Sequence, residues 1–247
     1  MKAIIFLFVI FSINLSAQGL SFLDTQKGYE RVGKAFDEKD TKIRRQLSDL
    51  GLNPGDLNIV ILAYKEESTL EIFGKNRNEE KYKKIIAYPI CAKSGEPGPK
   101  RREGDLQVPE GFYEIIDFNP LSSYHLSLGI NYPNKSDKIK SDPKKPGGDI
   151  YIHGDCVTVG CLPMTDDIIK EIYVYAVNAR YNTQQSIPVY IFPFRMTEAN
   201  MKIYSERNSQ NTGLIGFWEN LKQGYDQFDS TKIPFPVRID SKGNYLF

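Results

Sequence analysis

The stretch Asp149-Ile-Tyr-Ile-His-Gly-Asp-Cys-Val-Thr-Val-Gly-Cys-Leu-Pro-Met164 reads as a strand running into a glycine-punctuated turn, with a helix opening near Thr165. Side chains alternate across a strand, so Ile150 and Ile152 share one face while Tyr151 and His153 share the other. His153 therefore leaves the strand end on the face opposite the buried isoleucines. Cys161 follows Gly160, a residue type that permits close backbone approach or positive φ. A histidine and a cysteine at the two ends of one turn are the parts of a thiolate nucleophile and its base.

Three readings compete for this turn. In the first, Cys161 is the nucleophile, His153 takes its proton, and amides around Gly160 and Cys161 stabilise an oxyanion. In the second, His153, Cys156 and Cys161 bind zinc; a structural site wants four ligands, and the remaining candidates, Cys91 and His125, are distant in sequence. In the third, Cys156 and Cys161 form a disulfide and the histidine only packs. The chain has 2 histidines. His125 sits inside the apparent strand Tyr124 to Ile130, away from other reactive groups, and reads as structural.

Working outward, Asn134 to Gly148 is rich in lysine and proline and reads as a solvated loop. Downstream, Ile168, Ile169, Ile172, Tyr173, Ala176 and Ala179 form one apolar stripe, with Thr165 or Asp166 available to cap the helix. Ile187 to Phe192 is a strand, with Pro188 placing it at an edge or a strand start. Thr197 to Tyr204 and Leu214 to Tyr225 read as helices, and the tail folds as a hairpin around Asp240-Ser-Lys-Gly243. Upstream, Asn58 to Tyr64 and Thr69 to Phe73 flank a turn as a hairpin, followed by strands at Lys84 to Ala92 and Phe112 to Phe118. Tyr29 to Leu50 has helical spacing of apolar residues, ended by Gly51 and Pro54. The fold class is mostly β with added helices: a barrel or sandwich, a helix after the cysteine turn, and helical additions at both ends.

Net charge is +1, with 32 Lys+Arg against 31 Asp+Glu, which leaves no global basic surface for nucleic acid. Lys2 and the apolar run Ile4 to Ile13, ending near Ala17, have the pattern of a secretory signal peptide. That run is short of the roughly 20 residues a spanning helix needs, although an uncleaved anchor is the rival reading. The 3 cysteines of an exported chain cannot all pair internally, so at least one thiol is left over. Cys91, in an apolar run, reads as a small buried hydrophobe.

The run Ile152 to Asp166 resembles the signature of the L,D-transpeptidase catalytic domain family (YkuD-like), in its murein transpeptidase-like branch with a compact H-G-x-C-x-S/T-x-G-C motif. Gly98-Pro-Lys100, Glu103-Gly-Asp105, Val108-Pro-Glu-Gly111 and Asn131-Tyr-Pro-Asn134 are similar to segments of the same family, and the resemblance spans roughly Asn58 to Phe192. It implies a β-rich fold in which a cysteine attacks a carbonyl of peptidoglycan stem peptides, forms a thioester and passes the acyl group to an amine. Some members of the branch let water finish the reaction and release wall-linked protein.

Carried over by position, Cys161 is the nucleophile, His153 the base, and Gly160 and Cys161 the oxyanion amides. Thr158 stands at the motif's Ser/Thr, and Gly154 completes the H-G element. The better-studied branch has a second histidine where this chain has Val159, so His153 is the motif's one imidazole. Tyr151 is a candidate to line the cleft, and Lys100, Arg101 and Arg102 are candidates to meet substrate carboxylates.

The expected organisation is a signal peptide over 1–17, an N-terminal helical segment over 18–56, the catalytic domain over 57–193 and a C-terminal helical extension over 194–247. The expected protein is exported, to the periplasm or cell envelope, and needs no metal or cofactor. Its partners are peptidoglycan stem peptides and, as a second candidate, a wall-linked protein, with no nucleic acid. A hydrolase of the same mechanism and a catalytically silent wall-binding module are the alternatives.

Overall fold

The computed structural model describes residues 20–182 and 184–247, and the expected signal peptide over 1–17 lies outside them. Its centre is an 8-stranded sheet, built from β1 (Leu57–Tyr64), β2 (Thr69–Asn76), β3 (Lys83–Pro89), β4 (Gly111–Asn119), β5 (Ser127–Ile130), β6 (Tyr151–His153), β7 (Leu162–Pro163) and β8 (Pro188–Phe192). The strand order is β3-β2-β1-β8-β4-β5-β6-β7. Most neighbours are antiparallel; β1 with β8 and β6 with β7 are parallel. Helices cover the sheet: α1 (Phe22–Lys27), α2 (Glu30–Asp49), α3 (Lys135–Lys140), α4 (Asp166–Tyr181), α5 (Glu198–Arg207) and α6 (Thr212–Thr231). The tail closes as a hairpin of β9 (Arg238–Ile239) and β10 (Tyr245–Leu246). This is the β-sheet fold with added helices that the residue patterns predict.

Strand β1 explains the layering. Its apolar residues run without alternation because both faces are covered. Ile59, Ile61 and Ala63 join the core shared with α2 and α4, whereas Val60, Leu62 and Tyr64 join a second, aromatic core with Phe194, Trp218 and Phe228. Pro188 does begin its strand, but β8 lies mid-sheet between β1 and β4.

Helix α4 opens as expected, with Thr165 Oγ1 accepting from the Ile168 amide at 3.3 Å. It packs against α2, and the two helices are tied through Glu171, whose carboxylate accepts from Lys42 at 2.7 Å and from the Tyr88 hydroxyl at 2.7 Å.

Two segments differ from their sequence patterns. The lysine-rich stretch expected as a loop contains α3, started by a capping box in which Asn134 and Asp137 each bond the other's backbone amide. His125 is not in a strand: it sits in a bend before β5 with φ of 69°, a conformation open to His as to Asn and Asp.

Candidate active site

Strand β6 ends at His153, and the chain returns through 154–160 to lay β7 parallel beside it, with Ile152 opposite Leu162 and His153 opposite Pro163. Ile150, Ile152 and Leu162 point into the core. The period of two then places Tyr151, His153 and Cys161 together on the other face. The return is pinned at almost every residue. Gly154 N–H donates to Leu126 O at 3.2 Å, Asp155 N–H to Asp166 Oδ1 at 2.9 Å, and Cys156 is bonded to Cys91. Gly154 has no room for a side chain, since a Cβ there would sit 2.6 Å from Asp166 Oδ1 and 2.9 Å from Tyr124 O. Gly160 has φ of +135°, and a Cβ would meet Gln107 O at 3.0 Å.

The Cys91–Cys156 disulfide corrects one sequence-based expectation and decides against one of the competing readings. Cys91 is a bridge partner rather than a small buried hydrophobe, and Cys156 pairs with it across a separation of 65 residues rather than with Cys161. A disulfide sulfur is no thiolate, so Cys156 does not complete the zinc set His153, Cys156, Cys161 either. Cys161 remains the free thiol.

The two reactive groups are held in their neutral forms. Burial pushes the Cys161 thiol above its usual range, with Asp149 adding to the rise; the Tyr151 N–H, 3.4 Å from Sγ, and Lys100 pull the other way. Burial also lowers the His153 imidazole, against an opposing contribution from its bond to Gly154 O. That bond, at 2.5 Å, fixes the tautomer: a carbonyl only accepts, so Nδ1 carries the proton and Nε2 keeps the basic lone pair. Tyr124, which sequence reasoning missed, packs against the imidazole at a tilt of 36°, with ring centroids 4.7 Å apart. In this resting arrangement the Cys161 S–H donates to Asp149 O at 3.6 Å.

Thr158 braces the nucleophile turn. Its Oγ1 accepts from the amides of Gly160 (3.1 Å) and Cys161 (2.8 Å) and donates to Cys161 O (2.9 Å). The amides expected as oxyanion donors are therefore aimed at one point, where the threonine hydroxyl now sits.

Cys161 lies in the lining of two cavities. One, of about 450 Å³, is bounded by Lys65, Ile90, Lys93, Pro97 and Val108; the other, of about 590 Å³, by Lys100, Leu106, Lys145, Asp149 and Val159. Lys100 thus stands at the second cavity, buried and paired with Asp105 at 2.7 Å. Arg101 lines neither cavity: its guanidinium lies 4.9 Å from the Phe217 ring centroid and 3.6 Å from Asp137. Arg102 is exposed. Val159 is 75% exposed.

Against this geometry, a family model described as the L,D-transpeptidase catalytic domain (YkuD) matches residues 58–225. The chain belongs to this family. Its curated relatives include YafK of Escherichia coli (strain K12), named as a candidate L,D-transpeptidase, which is 40% identical over 190 residues, covering 76% of this chain and 73% of YafK. Among solved structures, the helical cell shape determining protein Pgp2 of Campylobacter jejuni matches at 19% identity and a TM-score of 0.45, covering 80% of each chain. L,D-transpeptidase 1 of Mycobacterium tuberculosis matches at 13% identity and a TM-score of 0.28, covering 55% of this chain and 62% of that one. Membership of the L,D-transpeptidase family rests on the sequence matches, and the family model takes in α5 and most of α6 as well as the sheet.

Proposed function

We propose that this L,D-transpeptidase family member is an exported cysteine acyltransferase acting on peptidoglycan stem peptides through a Cys161 thioester. The observation that carries the proposal is the β6–β7 register, which sets the free thiol on the same sheet face as an imidazole whose tautomer leaves Nε2 basic. In the forward step His153 Nε2 takes the thiol proton as Sγ bonds to the substrate carbonyl carbon. The oxyanion forms where the Gly160 and Cys161 amides converge, with the Thr158 hydroxyl giving way or sharing. The carbon–nitrogen bond then breaks, and the leaving amine departs with the proton from the imidazolium. An acceptor amine next attacks the thioester, gives its proton to His153, and expels the thiolate, which is reprotonated.

Export is supported by the Cys91–Cys156 bridge, since disulfides persist in oxidising compartments. Among the described residues, no helix is long and apolar enough to cross a membrane.

Incubating the protein with a stem tetrapeptide and an amine acceptor, followed by mass spectrometry of protein and products, tests the reading. The expected result is an acyl adduct on Cys161 and a peptide joined to the acceptor. Free acid without joined product would make the protein a hydrolase of the same mechanism, cutting stem peptides or protein–wall links. No adduct, or one mapping elsewhere, would overturn the assignment and favour a wall-binding module.

A further inference from the structure

Strands β1 and β4 lie on either side of β8, and just past its end they present a buried lysine and glutamate to each other. Lys65 follows β1 and Glu110 precedes β4; their side chains are 6% and 0% exposed and meet at 2.9 Å. Each of the three Lys65 Nζ donors is used: one goes to Glu110 Oε1, one to Gly98 O at 2.7 Å and one to Val108 O at 2.9 Å. Glu110 Oε1 also accepts from Gly98 N–H at 2.6 Å, and Oε2 accepts from Trp218 Nε1–H in α6 at 3.1 Å. One ion pair thus grips both ends of the loop 98–108 and is itself held by the C-terminal helix. Between the ends, Asp105 braces the loop by accepting from the amides of Arg101, Arg102 and Gln107.

This loop builds walls at the nucleophile. Val108 faces the cavity of about 450 Å³, Lys100, Gly104 and Leu106 face the one of about 590 Å³, and the Gln107 carbonyl lies against Gly160. Helix α6 supports it a second time, through the Phe217 ring under Arg101. A buried ion pair is a poor device for stability alone, because an apolar pair of similar volume is often as good or better. Its directed hydrogen bonds instead fix where the loop ends sit.

We propose that Lys65, Glu110 and Trp218 are positioning residues for acyl-donor binding: they clasp the loop 98–108 into the walls of both cavities at Cys161. The clasp itself is read from geometry, and its consequence for the acyl donor rests on the proposed function.

The test compares the full chain with Lys65→Met/Glu110→Gln, which removes both charges at nearly constant side-chain length. A second variant, Trp218→Phe, keeps the aromatic packing and deletes one donor. Amide hydrogen exchange in 98–108 is expected to speed up about tenfold in the double variant and less in Trp218→Phe, with the β1 and β8 amides unchanged. KM for the stem peptide should rise about fivefold in the double variant, since Lys65 itself borders the first cavity, and about threefold in Trp218→Phe, since Trp218 borders neither. In Trp218→Phe, kcat and alkylation of Cys161 by iodoacetamide should stay within about 1.5-fold of wild type. Unchanged loop exchange in both variants overturns the clasp, whatever the activity. Faster exchange with an unchanged KM, or with alkylation changed as much as KM, overturns its role in donor binding. A wild-type protein that takes no acyl group from the peptide, while exchange responds as expected, sinks the proposed function and leaves the clasp standing.

Discussion

At the scale of single residues, the site stores its reactivity as a neutral pair. Burial favours the uncharged form of each group, lowering His153 below its ordinary 6.5 and raising Cys161 above its ordinary 9.0. The imidazole therefore stays unprotonated, and able to act as a base, further into acid than a free histidine does. We expect the acid limb of the Cys161 acylation rate against pH to fall below 6.5, with a plateau persisting to the thiol's own inflection above 9.0. His153→Ala should abolish that limb and slow acylation by about two orders of magnitude, the usual worth of a general base. An acid limb at or above 6.5 in the wild type would contradict the buried, neutral imidazole. Of the residues at this scale, His153 and Cys161 were readable from period-two alternation and the glycine turn. Tyr124 was not, because its contact with His153 follows from a bend at His125 that the apolar pattern Leu126, Leu128, Ile130 disguised as more strand.

At the scale of elements, the turn between β6 and β7 is irregular backbone carrying the nucleophile, and its shape comes from cross-links rather than from a ladder. The bridge to Cys91 closes a long segment, and chain entropy assigns such a cross-link about 4 kcal/mol. We expect Cys91→Ser/Cys156→Ser to lose a stability of that order in urea titrations and to acylate Cys161 more slowly. Equal midpoints for the double variant and wild type would show that the bridge constrains nothing. The partner of Cys156 was illegible in the sequence because the cysteines lie 65 residues apart, joined only once the segment after β3 meets β7, where Cys91 N–H donates to Pro163 O at 3.0 Å. Helix α3 was hidden for a different reason: its lysines and flanking prolines outweighed the Asn134–Asp137 capping box, the one local signal for it. By contrast α2, found at Glu30–Asp49, announced itself through long amphipathic spacing and a glycine stop.

At the scale of the whole molecule, the sheet is a divider between an aliphatic core under α2 and α4 and an aromatic core under α5 and α6. The N-terminal layer is locked by Glu171, whose side chain is 3% exposed and whose partners come from α2 and β3. Glu171→Ala strands the Tyr88 hydroxyl and removes the anion facing Lys39 and Lys42. A loss of about 3 kcal/mol is expected in denaturant unfolding, with iodoacetamide alkylation of Cys161 nearly unchanged. A loss confined to a few tenths would mean that the helical layer is not coupled to the sheet through this carboxylate. The insertion of β8 between β1 and β4 was beyond local reading, since a strand's neighbours are set by non-local pairing. Its apolar run marked it only as a strand.

The parallel register of β6 and β7 turns the length of the stretch 154–160 into a chemical constraint. Parallel neighbours are usually joined by a crossover of a dozen residues or more, which leaves slack. Here the return is short and tethered, and Cys161 takes its face from the register that the tethers impose. Because strand faces alternate, a single-residue insertion or deletion there that is passed on as a one-residue slip of β7 against β6 would carry the sulfur to the side of Ile152 and Leu162, into the hydrocarbon interior. Parity, as much as composition, makes this thiol available.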